Sequence, residues 1–268
     1  SGTDRTGSSV RSLAKKSKIA IRYAHDTARI GVDRSIMKVA LMGKGKFCWL
    51  LSDDDVAEPG AVARILSKIV EKPSCALIEL NKYSYSLDLK SRWSGAPPSG
   101  AGKHASDASF EGKQPIADFI GHFFYDFSYM STQVVNRELY EKAVKSEKRI
   151  GDYCEDYLLA YIICRMLART PAAVFIAEPC VGNRTGNETA LSVKSEEANT
   201  AGFARLDRAT GENFKKIADR AVLPAFPSAY PEVMSRMMQY HVRAQLMTLK
   251  GSAVPLSKRL VVWKRVVS

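Results

Sequence analysis

The stretch Phe47–Leu51, FCWLL, is apolar throughout with no alternation, and Asp53, Asp54 and Asp55 follow one residue later. Such a run predicts a short strand covered on both faces. Beyond the acids, Val62, Ile65, Leu66, Ile69 and Val70 recur at i, i+3, i+4, i+7 and i+8, the spacing of one helix face. A buried strand, an acidic turn and an amphipathic helix in that order belong to an α/β domain.

The rest of the chain keeps the alternation. Ser1–Ser9 reads as loop and Val10–Lys16 as a short helix. Ile19–Tyr23, Cys75–Leu80, Met130–Val135 and Val174–Ala177 read as strands. Asp33 is placed to cap a helix running to Leu41, and Pro115–Phe124, Arg137–Val144 and Glu155–Arg169 carry helical patterns. Ser84–Lys113 is rich in Ser, Gly, Pro and Lys, and a loop of that length is expected to be functional or disordered. After Asn187 the pattern turns helical and basic. The expected architecture is a mostly parallel sheet flanked by helices, with a helical C-terminal extension.

A net charge of +12 favours an anionic partner: nucleic acid, an anionic membrane surface or a phosphorylated substrate. The five cysteines are widely spaced without a CxxC. That argues against zinc and against a disulfide framework, and it fits a reducing, cytoplasmic compartment.

Three adjacent carboxylates repel one another unless a cation neutralises them. Their hard oxygens suit Mg²⁺ or Mn²⁺, which bridge to phosphate oxygens. In open α/β sheets, ligands sit beyond the carboxyl ends of the strands, where Asp53–Asp55 fall. The alternative is an exposed acidic turn favoured by the dipole of the helix that follows.

WLLSDDDVAEPG (Trp49–Gly60) resembles the metal-binding DXD region of the family 2 glycosyltransferases, which have the GT-A fold. Upstream, Ile21–Phe47 is similar to the family's strand, "N-x-G-x-x-x-N" turn and helix; Gly31, Gly45 and Phe47 match, while Ala28 and Ser35 replace asparagines. SGTDRTGSS resembles the family's "S-T-D-G-T" loop. YMSTQVVNRELYEKA (Tyr129–Ala143) looks like the strand and helix lining the acceptor side. GDYCEDYLLAYIICRML (Gly151–Leu167) looks like the "E-D-x-x-L" helix, and FIAEPCVGNRTGNETA (Phe175–Ala190) like the strand and "x-x-P-x-x-x-x-R" loop after it. The resemblance spans a domain at 1–190 and leaves 191–268 as the helical extension. Ser52 stands where many members carry an acid, and the family's first strand and "P-x-Y-N" loop would precede Ser1.

This resemblance implies an inverting glycosyltransferase that takes a sugar from a UDP-, GDP- or dTDP-linked donor. The implied acceptor is a saccharide or lipid-linked saccharide, as in bacterial surface-polysaccharide assembly, at the inner face of the cell membrane. Mg²⁺ or Mn²⁺ is implied on Asp54 first, with Asp53 and Asp55 beside it. Asp53, Asp54 and Arg184 are implied on the donor side, Arg184 steadying the diphosphate. Asp156 is implied as the base, with Glu155 the alternative; both also read as acids at a helix start. The "Q-x-x-R-W" motif of processive synthases is absent, which favours non-processive transfer.

Two other classes compete. A basic nucleic-acid-binding protein explains the charge but not the acids, which repel the same backbone, so no nucleic acid is expected. A metal-dependent phosphatase or nucleotidyltransferase would use the same carboxylates, without a supporting nucleophile motif. Near the C-terminus, Leu260, Val261, Trp263 and Val266 alternate with Lys258, Arg259, Lys264 and Arg265. That segment either packs on the domain with its lysines solvated or lies on an anionic lipid surface. His122 lies in an aromatic stretch that reads either as core or as a sugar contact.

Overall fold

The computed structural model describes residues 5–28, 30–86, 88–92, 106–153, 157–184 and 212–237. Its strands are β1 (Phe47–Trp49), β2 (Val56–Ala57), β3 (Leu77–Tyr85), β4 (Ala108–Glu111), β5 (Gln133–Asn136) and β6 (Ala172–Arg184). Its helices are α1 (Thr6–Lys16), α2 (Val32–Met42), α3 (Ala61–Glu71), α4 (Lys113–Phe123), α5 (Arg137–Lys145) and α6 (Leu158–Arg169). The strands form one sheet in the order β1-β5-β3-β6-β2, with β4 also on β6.

The α/β class is as expected, but the strand directions are mixed. Among the described strands only β3 and β6 run parallel; β1–β5, β5–β3, β4–β6 and β2–β6 are antiparallel. Alternation of strand and helix fixes which layer an element joins, not the direction from which the next strand is entered. Before β5, two 3₁₀ turns (Asp126–Ser128 and Met130–Thr132) re-aim the chain.

The core divides at the sheet because successive side chains on a strand point to opposite faces. Leu77, Val135, Ala173 and Phe175 face a cluster built with α4, α5 and α6. Ile78, Leu80, Val134, Val174 and Ile176 face α3 through Ala61 and Ile65. Helix α6 is apolar from Leu158 to Leu167 except at Arg165, and those apolar residues are all buried. Helical residues of 212–237 pack into the same cluster through Phe214, Ile217, Val222, Phe226 and Val233.

Several local expectations change. Ile19–Tyr23 forms no strand: it has no ladder partner among the described residues, and Ile19 is 78 % exposed. Helix α1 begins at Thr6, inside the expected loop. Gly31 rather than Asp33 occupies the N-cap of α2, with φ 85°. On α3 the apolar face is only half covered, with Val62, Leu66 and Val70 exposed. β4 lies within the stretch read as loop, and β6 extends to Arg184 rather than ending at Ala177. Residues 238–268, which carry the basic apolar segment, lie outside the described residues.

Candidate active site

The aspartates sit between the two edge strands. After β1 the pairing with β5 continues as Leu50 N–H donates to Gln133 O (3.1 Å). The chain turns at Ser52–Asp55 and re-enters the sheet as β2 on the opposite edge, beside β6. Val56 pairs with Gly182, where a Cβ would come within 2.7 Å of Val56 Cγ2 and 2.8 Å of Tyr85 Cε2. Only glycine lets the residue after the aspartates seat so closely.

The three carboxylates face three different surroundings. Asp55 is turned into the protein. Its Oδ2 accepts from Tyr129 OH (2.5 Å) and Ser131 Oγ (2.6 Å), and its Oδ1 accepts from Arg184 N–H (3.2 Å). Asp54 Oδ1 accepts from Ser52 Oγ (2.5 Å). Asp53 is exposed and makes no hydrogen bond or ion pair among the described residues. No three His, Cys, Asp or Glu side chains converge as a metal-holding group among the described residues. Asp55 was expected to share a cation with its neighbours; its oxygens are instead taken by protein donors.

A cavity of about 980 Å³ opens beside the turn. Ser52 and Asp53 form one wall, Asp26 and Asp33 another, and Met130 and Tyr157 close it. Asp33, displaced from its expected cap on α2, accepts Leu158 N–H (3.3 Å) at the head of α6. Tyr157 there holds φ 60° and ψ 50°, a left-handed conformation uncommon for a bulky residue. Its ring stacks on Phe214 with centroids 4.3 Å apart. Glu155 and Asp156 lie outside the described residues; Tyr157, the next residue in the chain, lines the same cavity as Asp53.

Arg184 is the last residue of β6, not part of a polar loop. Its Nε is buried without an acceptor, and its guanidinium makes no bond among the described residues. A half-buried guanidinium with such an Nε fits an anionic ligand. His122 packs edge-on against Phe123 within α4 (4.6 Å), away from the cavity lining.

Sequence reasoning missed Tyr129, Ser131, Lys82 and Glu79. Lys82 Nζ sits 3.7 Å from the Tyr129 ring centroid and 3.9 Å from Asp126 Oδ1. Burial pushes the Tyr129 phenol well above its usual value, and the Asp55 and Asp54 carboxylates push it further. Tyr129 therefore remains a proton donor at any physiological pH. Behind it, Glu79 is 1 % exposed with neither oxygen in a formed hydrogen bond. Burial holds its carboxyl well above the usual range and Asp126 adds to this; Thr132, Gln133 and Lys82 offset only part. The available signal was one acid within the apolar run CALIEL. Ser131, by contrast, carries no pattern that sets it apart from a loop serine.

No helix among the described residues is long and apolar enough to cross a membrane. The Glycosyl transferase family 2 profile matches residues 1–136, which carry the aspartate turn and every strand except β6. No curated protein matches the sequence. Among solved structures the chain is similar to S. aureus TarS 1-349, crystallised in complex with UDP-GlcNAc. The identity is 11 %, the TM-score 0.51, and the match covers 91 % of this chain and 70 % of that one. At that identity the likeness concerns the fold alone, a mixed sheet flanked by helices as in a GT-A glycosyltransferase. With the profile matching half of its length, the chain belongs to glycosyl transferase family 2.

Proposed function

We propose that this glycosyltransferase moves a sugar, with inversion, from a nucleotide-sugar donor held at the Ser52–Asp55 turn to a hydroxyl of a saccharide or lipid-linked saccharide. The observation that carries this reading is a free acid and a free cation on one scaffold. Among the described residues Asp53 is exposed and unbonded and Arg184 has a buried Nε without acceptor, and Asp55 ties the turn to the Arg184 backbone. A nucleoside diphosphate with its cation complements both. UDP is the first nucleotide to test, since the similar TarS structure holds UDP-GlcNAc; GDP- and dTDP-sugars are the others.

Mg²⁺ or Mn²⁺ commonly uses only one or two protein carboxylates, the rest of its shell being phosphate and water. Asp54 and Asp53 fit that role and Asp55 does not. A bound cation would neutralise the charge that grows on the diphosphate. Arg184 would hold the same diphosphate through charge-assisted hydrogen bonds.

A base must accept the acceptor's hydroxyl proton as its oxygen attacks the anomeric carbon. The bond from that carbon to the diphosphate breaks, and the nucleoside diphosphate leaves with the electron pair. Asp156 is assigned this base, with Glu155 the alternative, because Tyr157 faces the cavity shared with Asp53. Surface-polysaccharide assembly at the inner membrane face is the setting we assign. The basic charge of the chain supports it.

The test is transfer from a panel of UDP-, GDP- and dTDP-sugars with Mn²⁺ or Mg²⁺, with the product anomer read by NMR. Asp54→Ala is expected to abolish metal-dependent transfer while leaving circular dichroism unchanged; undiminished turnover sinks the metal assignment. Asp156→Asn is expected to keep donor binding and lose about two to four orders of magnitude in rate. If Glu155→Gln does this instead, the two roles exchange. A product that retains the donor's anomeric configuration rules out inversion.

A further inference from the structure

Resting on that reading, we infer that Ser131, together with Tyr129, is a positioning residue that sets the shape of the aspartate turn. The turn's own backbone closure, from Asp55 N–H to Ser52 O, is long at 3.4 Å. One side chain ties both of its ends. Ser131 Oγ accepts from Ser52 N–H (3.0 Å) and donates to Asp55 Oδ2 (2.6 Å). Ser131 is fully buried, so this hydroxyl has no water to exchange with. Its carbonyl accepts from Trp49 Nε1 (2.8 Å), which fixes the 3₁₀ turn Met130–Thr132 against β1.

Tyr129 supplies the second tie from the same 3₁₀ turn, donating to Asp55 Oδ2 (2.5 Å). The Asn183 amide lies 2.9 Å from the same phenol oxygen. Asp55 is thus the knot where the aspartate turn, the 3₁₀ turn and the end of β6 meet. With its last member held by two hydroxyls and a backbone N–H, the turn presents Asp53 outward, and Asp54 Oδ1 accepts from Ser52 Oγ within the turn. The residues that hold a cation-binding turn commonly weigh on affinity nearly as much as the ligands themselves.

The discriminating experiment is Mn²⁺ titration of the full chain by EPR in the presence of UDP, with the unfolding midpoint measured separately without metal. Ser131→Ala is expected to raise the Mn²⁺ concentration at half-saturation about 10- to 100-fold. Ser131→Thr, which keeps the hydroxyl, is expected to restore most of it. Tyr129→Phe keeps the ring beneath Lys82 and is expected to weaken binding less. The double variant is expected to match Ser131→Ala alone, because residues acting through one group are not additive. A merely structural role predicts a lowered midpoint with unaltered Mn²⁺ binding, and that result overturns the inference. Should Ser131→Ala fail to fold, wild-type Mn²⁺ binding by Tyr129→Phe overturns it equally. A wild-type chain that binds neither Mn²⁺ nor UDP overturns the glycosyl-transfer reading instead, a separate outcome.

Discussion

Asp55 and Glu79 are two carboxyls beside one sheet, and the fold surrounds them oppositely. Asp55, in the turn between β1 and β2, meets three donors, Tyr129 OH, Ser131 Oγ and the Arg184 N–H. Glu79 lies fully buried on β3 with no formed hydrogen bond to either oxygen, near the acidic Asp126. Facing it is Gln133, whose Oε1 is likewise buried without a donor. Burial first, and then the nearby Asp126, favour the neutral form of Glu79. One acid of the pair is tied down by donors and the other has no formed hydrogen bond.

The comparison breaks first at Asp55. Asp55→Ala leaves Ser131 Oγ and the Arg184 N–H without their acceptor, while Tyr129 OH keeps Asn183 Oδ1 at 2.9 Å, and each buried donor left unsatisfied costs about 1–3 kcal/mol. Urea denaturation is expected to show a clear loss of stability, and an unchanged midpoint would mean that these donors find water. Asp55→Asn is expected to lose less, because one amide oxygen still accepts.

Glu79→Gln has a smaller effect with a defined pH signature. The folded-state pKa of Glu79 is raised above its unfolded value, so the folded protein binds the extra proton. Its contribution is fully present below the unfolded pKa, about 4.5, and is lost as pH rises toward the folded value. Glutamine does not titrate and stays neutral when buried. The variant's thermal midpoint is therefore expected to exceed the wild type's at neutral and mildly alkaline pH. The gap closes as pH falls toward 4.5. A gap that is constant or widens on acidification removes the neutral-acid assignment.

The smallest effect on stability belongs to Asp53→Ala. This side chain touches nothing among the described residues, so the midpoint should not move. If Asp53 serves the cation, Mn²⁺ binding weakens all the same. A midpoint that falls would place Asp53 with Asp55 as a structural acid.

Much of the site was legible as residue type and little as geometry. The triplet stands out because acids rarely follow five apolar residues, and its place at a strand end follows from the helix after Gly60. Which acid turns inward is invisible, since it depends on Tyr129 and Ser131 at the 3₁₀ turn before β5. Helices α3, α4 and α5 were readable because each carries a helical repeat along its length. β4 was hidden in a stretch rich in Ser and Gly, where Ala108–Glu111 offers only Phe110 as a large apolar residue. β6 was cut short because Glu178 and Pro179 interrupt its apolar run, and the sheet absorbs them with a register shift opposite Leu80 and Lys82. Ile19–Tyr23 has strand composition but no neighbour among the described residues to pair with, and composition alone makes no ladder.

The way β6 is shared has a consequence for the stretch 93–105. On one side of that stretch, Tyr85 of β3 is in register with Arg184 and bridges to Arg92. On the other, Asp107 accepts Ala177 N–H (2.9 Å) and meets Lys68 Nζ (3.1 Å), and β4 starts opposite Phe175. One entrance is thus moored to β3 and the other to β6, which pair with each other, independently of what is spelled out between them. Doubling the length of such a segment costs only about 0.6 kcal/mol in closure entropy. β6 works as a socket: the length of 93–105 can change at little cost without rebuilding the aspartate turn.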